Sequence, residues 1–179
     1  MHPVDEHLRR LKFIDEIGVH LGLTRTHGRA RPGQRVVEAT PGRTGPHDTA
    51  IAALGWHGVQ APCIWEGALD AATFEAYVKP TLGRSLRTGD IIVLDNLAAH
   101  KAAGVQTYLD ARGVRLVFLP PYSPDFNPIE LCWAKVKTAL RAAKARTWDD
   151  LVTALAKALR AIRPKEVAAW FAHCGYPLP

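Results

Sequence analysis

The sequence predicts a single α/β domain, in which helices flank a mixed β-sheet and a helical tail follows. Three observations lead to this fold class. The chain has 179 residues, which is enough for one sizeable core and too few for two ordinary domains. Three strand-like segments come first, and strands then alternate with helical segments. This order is typical of a mixed sheet with helices packed on it, so we expect one domain over residues 1–179.

The first three predicted strands lie near residues 11–21, 49–54 and 61–65. The first is an apolar run that contains two acidic residues, Asp15 and Glu16. A basic loop rich in Gly and Pro, from about residue 24 to 46, separates this strand from the second. The loop is longer than a plain connection needs, so we expect it to be functional or locally disordered.

Capping residues and prolines mark the remaining elements. Asp70 is the predicted N-cap of one helix, and Asn127 followed by Pro128 marks the start of another. Asp90 and Asp95 enclose four apolar residues, which indicates a buried strand. The other predictions are a helix over 101–111, a strand over 114–119 and two helices, near 148–162 and 164–173, in a tail of residues 147–175.

Composition argues against several classes of protein. No apolar run approaches the ~20 residues that span a bilayer, and the first ten residues are charged and lack the apolar core of a signal peptide. We therefore expect a cytoplasmic protein with no membrane partner. The cysteines are odd in number and widely spaced, so we expect free thiols rather than disulfides or a zinc ribbon: Cys63, Cys132 and Cys174.

The positive charge of the chain is clustered. The formal net charge is +6 and the pI is about 9.5. One cluster lies in the 24–46 loop, where only Glu38 opposes Arg25, Arg29, Arg31, Arg35 and Arg43. A second lies in and beyond the helix that follows Asn127, and consists of Lys135, Lys137, Arg141, Lys144 and Arg146. Clusters of this kind suit binding to a phosphate backbone.

The second cluster continues a predicted helix face. On a helical wheel, three basic residues fall within about 40° of Glu130: Lys137, Arg141 and Lys144. We predict that this basic stripe follows the backbone of bound DNA. The alternative is an ordinary solvated helix face.

Three carboxylates occupy positions that stability alone does not require. Asp15 lies inside the first strand, Asp95 ends the buried strand, and Glu130 lies in the first turn of a helix. Each also has an ordinary interpretation: a solvated strand edge, a loop cap, or a favourable partner of the helix dipole. Together they offer oxygen ligands from separate rigid elements, which is what two hard cations require. Two divalent ions about 4 Å apart would clamp the attacking and leaving oxygens at a phosphorus centre.

Three segments resemble the mariner superfamily of DDE transposases, and most closely the bacterial insertion-sequence family 630. They are residues 13–16 (Phe-Ile-Asp-Glu), 93–100 (Val-Leu-Asp-Asn-Leu-Ala-Ala-His) and 119–130 (Leu-Pro-Pro-Tyr-Ser-Pro-Asp-Phe-Asn-Pro-Ile-Glu). The 34 residues between Asp95 and Glu130 match the spacing of that family's second and third acidic ligands. The likeness extends from about residue 11 to 175.

The resemblance implies an RNase H-like fold of the retroviral-integrase type. It further implies that Asp15, Asp95 and Glu130 hold two Mg²⁺ or Mn²⁺ ions. The implied partner is double-stranded DNA, cleaved at the ends of a mobile element and joined to a target at a TA dinucleotide. A homodimer in the bacterial cytosol or nucleoid is also implied.

Several neighbouring residues match the family pattern as well. We interpret Asn96, His100 and Asn127 as groups that support the metal ligands or contact DNA, and His100 is alternatively an exposed residue at a helix start. For the 24–46 loop, the resemblance suggests contact with a partner subunit. A flexible DNA-binding arm is the simpler interpretation of the same loop.

One departure from the family concerns the N-terminus. Members usually carry helix-turn-helix modules before the catalytic domain, and only 14 residues precede Asp15 here. We expect that module to be absent, with an upstream reading-frame product as a possible partner; a truncated copy or an excised domain are the alternatives. Functionally, the alternatives are a non-catalytic DNA-binding or regulatory fragment and another RNase H-like nuclease. A Mg²⁺-dependent phosphatase with Asp95 as its nucleophile is a weaker alternative, because such chemistry needs an Asp-x-Asp pair and Asp95 is followed by Asn96 and Leu97.

Overall fold

The computed structural model describes residues 3–41 and 47–177, in which helices lie on both faces of a β-sheet. Arg43 of the first basic cluster and the end of the 24–46 loop lie outside the described residues. Short 3₁₀ turns cover Leu82–Ser85, Ala98–Lys101 and Pro124–Phe126. The helices and strands follow the order α1 (Pro3–Arg10), β1 (Leu11–Val19), β2 (Asp48–Gly55), β3 (Gly58–Glu66), α2 (Ala71–Val78), β4 (Ile91–Leu94), α3 (Ala103–Asp110), β5 (Arg115–Phe118), α4 (Pro128–Ala143), α5 (Trp148–Arg160) and α6 (Pro164–His173).

β1 is the central strand of a mixed sheet with the order β3-β2-β1-β4-β5. β1, β2 and β3 form an antiparallel meander, whereas β4 and β5 run parallel to β1. Phe13 of β1 pairs with Leu54 of β2 on one side and with Val93 of β4 on the other. The predicted α/β class is confirmed. The carboxyl ends of β1, β4 and β5 lie at one edge of the sheet, where ligands gather in open sheets of this kind.

The two faces of β1 belong to separate cores, because successive side chains of a strand point to opposite faces. Phe13 and Ile17 pack in the core that contains the buried residues of α4, α5 and α6. Ile14 packs in the other core, with the buried residues of α2 and α3. By the same alternation, Asp15 lies on the α4 face and Glu16 on the α2 face.

The helical tail packs against the strand that carries Asp15. Phe171 of α6 is fully buried, and its ring meets that of Phe13 edge-on, with centroids 5.5 Å apart. The ammonium of Lys135 on α4 lies 2.6 Å from the carboxylate of Glu166 on α6. It also donates a hydrogen bond to the carbonyl of Ala161, at 3.0 Å. These contacts fix α6 to α4 and to the sheet.

The structure differs from the predicted elements in three places. α1 was not predicted, because its charged residues form no apolar stripe long enough to indicate a helix. α3 begins at Ala103 rather than near residue 101, because Ala98–Lys101 form a separate 3₁₀ turn. Asn127 lies at the N-cap position of α4, but its side chain donates and accepts no capping hydrogen bond; only its carbonyl accepts, from the N–H of Glu130.

Two other predictions about the fold, the Asp70 cap and the free cysteines, are borne out. The Asp70 carboxylate caps α2 by accepting a hydrogen bond from the N–H of Thr73, at 2.7 Å. The three cysteines are free thiols. Across residues 3–41 and 47–177, no helix combines the length and the apolar character that crossing a membrane requires.

Candidate active site

The sheet brings Asp15 and Asp95 side by side. Phe13 and Val93 form the last parallel pair between β1 and β4, and both belong to the core on the α4 face. Two residues further along the chain stand Asp15 and Asp95. Because the side-chain period of a strand is two residues, the alternation directs the Asp15 carboxylate toward α4. Asp95 stands one residue beyond the end of β4 and lines one cleft with Glu130. Neighbouring strands lie about 4.8 Å apart, so the two acids meet where the parallel strands end.

Glu130 joins this pair from the first turn of α4. Asp15 is only 8% exposed, and it lies within the electrostatic field of three other carboxylates: Glu130, Glu16 and Asp95. Burial and these three negative charges raise the pKa of Asp15 to about 8. Asp15, Asp95 and Glu130 therefore form an acidic centre, and a cation would relieve the repulsion between its members.

His100 supports the acidic centre from inside the protein. Its ring is fully buried, with Nδ1 2.7 Å from Oδ1 of Asp95 and Nε2 3.3 Å from Oε2 of Glu16. Neither contact meets the angular requirement of a hydrogen bond, so both are best described as close ionic contacts. The Phe74 ring lies 4.6 Å from the imidazole, centroid to centroid. His100 is therefore no exposed helix-start residue, and the structure brings it to Asp95.

Asp95 keeps one oxygen available. Both the imidazole of His100 and the N–H of Leu97, at 3.1 Å, approach Oδ1. Among the described residues, Oδ2 of Asp95 has no hydrogen-bond or ion-pair partner. Its side chain is 40% exposed, so this oxygen is accessible to a ligand.

Asp95 and Glu130 line a cleft of about 440 Å³ at the edge of the sheet. Asn96 and Asn127 also line it. Asn96 is exposed and Asn127 is buried, and Oδ1 of Asn127 has no hydrogen-bond partner among the described residues. Tyr122 lies at the same cleft, fully exposed and with a left-handed backbone (φ 56°). The cleft thus combines carboxylates, amides and one exposed aromatic ring.

The donor set of the acidic centre fits Mg²⁺ or Mn²⁺. Carboxylate oxygens are the ligands that hard divalent cations prefer, and both burial and the neighbouring carboxylates raise the pKa of Asp15. Within the described parts of the chain, no three His, Cys, Asp or Glu side chains are already close enough to enclose a metal ion. Mg²⁺ needs no such enclosure, because it keeps several waters and binds through one or two carboxylates plus substrate phosphates.

The two predicted basic clusters meet on one surface. Lys144 forms an ion pair with Glu38 of the loop, and Arg25 and Arg141 line the same shallow cleft. The guanidinium of Arg146 donates hydrogen bonds to the carbonyls of Leu21 and Leu23, in the short segment between β1 and the loop. We call this the loop–α4 surface, and its basic members are Arg25, Arg141, Lys144 and Arg146.

The remaining predicted DNA-contact residues are placed less closely together. Arg29 lines a neighbouring cleft with Arg25, whereas Arg31 and Arg35 are exposed and line neither cleft. Lys137 is half-exposed on α4. The predicted stripe is wrong for Lys144, which follows the helix as its C-cap with a left-handed backbone (φ 52°, ψ 43°) and so leaves the helical wheel.

Glu16 is the residue of this site that sequence reasoning missed. On sequence alone it is only a second acid beside Asp15, whereas the structure directs it to the opposite face of the sheet and against His100. The available signal was strand alternation, which sends two consecutive acids in an apolar strand to two different faces.

The chain matches proteins of known function. Residues 10–152 match the model of the family described as DDE superfamily endonuclease. The Tc1 transposase of Caenorhabditis elegans is 30% identical over 89 residues, which make up 50% of this chain and 33% of that protein. The chain therefore spans about a third of the length of this relative.

Solved structures share the fold. A Mos1 transposase paired-end complex with left transposon end has a TM-score of 0.71 and 21% identity, over 95% of this chain and 53% of that chain. A mariner Mos1 paired end complex with Mg also has a TM-score of 0.71, at 19% identity, over 93% of this chain and 52% of that chain. These likenesses confirm the predicted RNase H-like fold. Because the family model covers most of its length, the chain belongs to the DDE superfamily endonucleases, as the resemblance to mariner-type transposases predicted.

Proposed function

We propose that this chain is the catalytic domain of a transposase. It cleaves DNA at the ends of a mobile element and joins those ends to target DNA, using two Mg²⁺ or Mn²⁺ ions. The observation that carries the proposal is the acidic centre. Its three carboxylates come from β1, the end of β4 and the start of α4, and those of Glu130 and Asp95 interact electrostatically with Asp15 at one edge of the sheet.

The proposed metal ligands are Asp15, Asp95 and Glu130. Divalent ions bound there would supply Lewis-acid stabilisation of the attacking and leaving oxygens at phosphorus. Asp15 contributes a carboxylate held rigidly inside the central strand. Asp95 contributes Oδ2, because Oδ1 already contacts His100 and Leu97. Glu130 lines the same cleft as Asp95, on a helix whose start is fixed by Pro128.

The residues around the acidic centre hold it in place and contact the substrate. His100 positions Asp95 and separates it from Glu16, so that the two acids share one imidazole rather than repel each other. Asn96 and Asn127 present amides to the cleft, where they can donate to phosphate oxygens or accept from a DNA 3′-hydroxyl. No side chain is needed as the nucleophile, since water or that hydroxyl serves.

The loop–α4 surface is the proposed path of the DNA backbone. It gathers cations from two segments that are far apart in sequence, and Arg141 belongs to the same helix as Glu130. The other proposed phosphate contacts are Arg29, Arg31, Arg35 and Lys137. Phosphate contacts of this kind fix the position of DNA without reading its sequence.

Family membership supports three further parts of the proposal. Target joining occurs at a TA dinucleotide, the working form is a homodimer, and an upstream helix-turn-helix product recognises the element ends. The Mos1 structures named above hold transposon-end DNA or Mg, which supports DNA and a divalent ion as ligands of this chain.

The test is Mg²⁺- or Mn²⁺-dependent nicking and strand joining of labelled duplex DNA. Wild-type protein is compared with Asp95→Asn, which removes the charge of one proposed ligand at constant size. Asp110→Asn is the matched control, because Asp110 is an exposed helix residue whose carboxylate accepts a hydrogen bond from Gln106. We expect activity that needs the metal, is lost in Asp95→Asn and persists in Asp110→Asn.

Three outcomes separate the alternatives. Metal-dependent activity that survives Asp95→Asn would refute the proposed ligands. A folded protein that binds metal and DNA without cutting favours a domain that depends on an upstream module. A protein that binds DNA but no metal favours the non-catalytic fragment.

A further inference from the structure

A second cleft opens at the opposite end of the sheet from the acidic centre. This basal cleft has a volume of about 720 Å³ and lies between α1, the start of β1, the β2–β3 turn and the segment before β4. Lys12 in its lining precedes Asp15 by three residues, which corresponds to roughly 10 Å along a strand. Five Lys or Arg side chains and two carboxylates from the described residues line it.

Both carboxylates of the basal cleft are already paired. Glu6 accepts a hydrogen bond from the guanidinium of Arg10, at 2.7 Å. Asp90 accepts one from the backbone N–H of Arg87, at 2.8 Å, and lies 3.6 Å from the ammonium of Lys12. Lys12 is itself 92% removed from solvent, being 8% exposed, and donates to Gln60 at 2.8 Å. The acids therefore neutralise Arg10 and Lys12 and leave the other cations unopposed.

Three guanidinium groups remain on the rim: Arg9, Arg84 and Arg87. All three residues are exposed, and none has a carboxylate partner among the side chains that the structure describes, those of residues 6–41 and 47–177. The guanidinium of Arg9 lies 5.8 Å from the centre of the Trp56 ring, a contact that limits its motion. The cleft thus carries three uncompensated positive charges around one opening.

We propose that the basal cleft binds the phosphate backbone of duplex DNA, as a contact separate from the acidic centre. The inference rests on the proposed function in that DNA is the ligand of this chain. A guanidinium presents a planar fork of donors that matches two phosphate oxygens, and it stays charged at every relevant pH. This contact needs neither metal nor the three carboxylates, so it adds affinity that the cutting site does not provide.

The test measures binding of a labelled duplex in the absence of divalent metal, over a series of KCl concentrations. Arg84→Gln/Arg87→Gln removes two rim charges, and Arg160→Gln/Lys165→Gln is the matched control, since both of its residues are exposed and lie outside the cleft. For the rim variant, we expect the dissociation constant to rise by about tenfold or more. The association constant decreases with salt, so a plot of its logarithm against the logarithm of the salt concentration has a negative slope. The magnitude of that slope should decrease by about 1.8, for two lost phosphate contacts. The control should change the dissociation constant by less than about twofold.

The same experiment contains its contrary outcomes. Unchanged DNA affinity in the rim variant overturns the proposal, and so does an equal loss in the control, which would make net charge the cause. Loss of binding to a labelled poly-glutamate peptide, with duplex binding intact, also overturns it and indicates an acidic protein segment instead. Circular dichroism melts of both variants establish that the fold is retained.

The proposed function fails independently of this one. If the rim variant loses DNA affinity but the wild type shows no metal-dependent nicking, the basal cleft stands and the catalytic assignment fails. If the wild type nicks DNA and the rim variant binds DNA as tightly as the wild type does, the catalytic assignment stands and the basal-cleft proposal fails.

Discussion

His100 holds Asp95 from the buried side of the sheet, with Nδ1 of the imidazole 2.7 Å from Oδ1 of the carboxylate. Burial lowers the pKa of His100, but the carboxylates of Glu16 and Asp95 outweigh burial and raise that pKa above its ordinary value. Phe74 packs against the ring, so the imidazole has little freedom to turn. The orientation of a proposed metal ligand is therefore set by a residue that no substrate reaches.

Replacing His100 should weaken metal binding without removing any ligand. We expect His100→Phe to lower Mn²⁺ affinity by about 10- to 100-fold, the usual effect of losing a group that orients a ligand. His100→Gln keeps a polar contact, so its Mn²⁺ affinity should lie between those of the wild type and His100→Phe. Isothermal titration calorimetry measures the affinity, with His173→Phe as an exposed control. Equal Mn²⁺ affinity in wild type and His100→Phe would show that His100 does not position Asp95.

Replacing Asp15 should stabilise the metal-free protein. Its pKa rises from 3.8 to about 8 on folding, so the folded state holds this proton more tightly than the unfolded state. The stability of the wild type should then fall as pH rises from about 4 to about 8, because the folded protein must ionise a buried acid. Asp15→Asn lacks this loss, and we expect it to be more stable by about 0.5–2 kcal/mol at pH 8. Urea unfolding in EDTA at several pH values measures the difference.

Added metal should make the wild type more stable than Asp15→Asn. Mn²⁺ at about 100 times its dissociation constant stabilises a protein that binds it by about 2.7 kcal/mol. This gain requires the Asp15 carboxylate, which is one of the proposed metal ligands. Wild type should gain stability in Mn²⁺, whereas Asp15→Asn should not. A variant less stable than wild type at every pH in EDTA would contradict the electrostatic account of Asp15.

Charge reversal on the loop–α4 surface should weaken DNA binding. Arg141→Glu replaces a cation that lies beside Arg25 with an acid, and we expect roughly tenfold weaker binding of duplex DNA. Arg160→Glu, on the exposed face of α5, has the same change of charge and serves as the control. Fluorescence anisotropy measures the affinity, and the nicking assay measures its consequence. If affinity and cleavage are both unchanged, this surface is not the DNA path.

Truncating Phe171 should destabilise the whole fold. Its ring is fully buried against Phe13, so Phe171→Ala leaves a cavity beside the central strand, at a cost of about 3–5 kcal/mol. Exposed His173→Ala in the same helix should cost less than about 0.5 kcal/mol. Urea unfolding compares the two. A small effect of Phe171→Ala would mean that α6 is not integral to the core.

Local sequence signals predicted the positions of the proposed ligands well. Asp95 ends a run of four apolar residues, and such a run between acidic ends indicates a buried strand without any knowledge of its neighbours. Asp70 was also recognisable as a cap from local sequence, because a capping hydrogen bond joins residues only three positions apart. Asn127 shows the limit of that reasoning: it occupies the N-cap position of α4, but its side chain makes no capping hydrogen bond.

Contacts between distant segments could not be predicted in this way. Glu16 and His100 are 84 positions apart, and only the folded sheet brings them together. The 3₁₀ turn at Ala98–Lys101 carries His100 back over α2, where a helical pattern read locally would have left it exposed. The ion pair of Lys144 and Glu38 likewise depends on where a long loop lies, which no periodicity encodes.

The alternation along β1 makes the start of this chain intolerant of length changes. Asp15 serves one side of the sheet and Glu16 the other, while Phe13 and Ile14 fill the two cores beside them. Deleting or inserting one residue between Leu11 and Asp15 would turn the side chains on one side of the change to the wrong face of the sheet. Folding and metal binding would then be lost in a single step. The residue count of the strand must therefore be preserved, a constraint of register that the loop after β1 does not share.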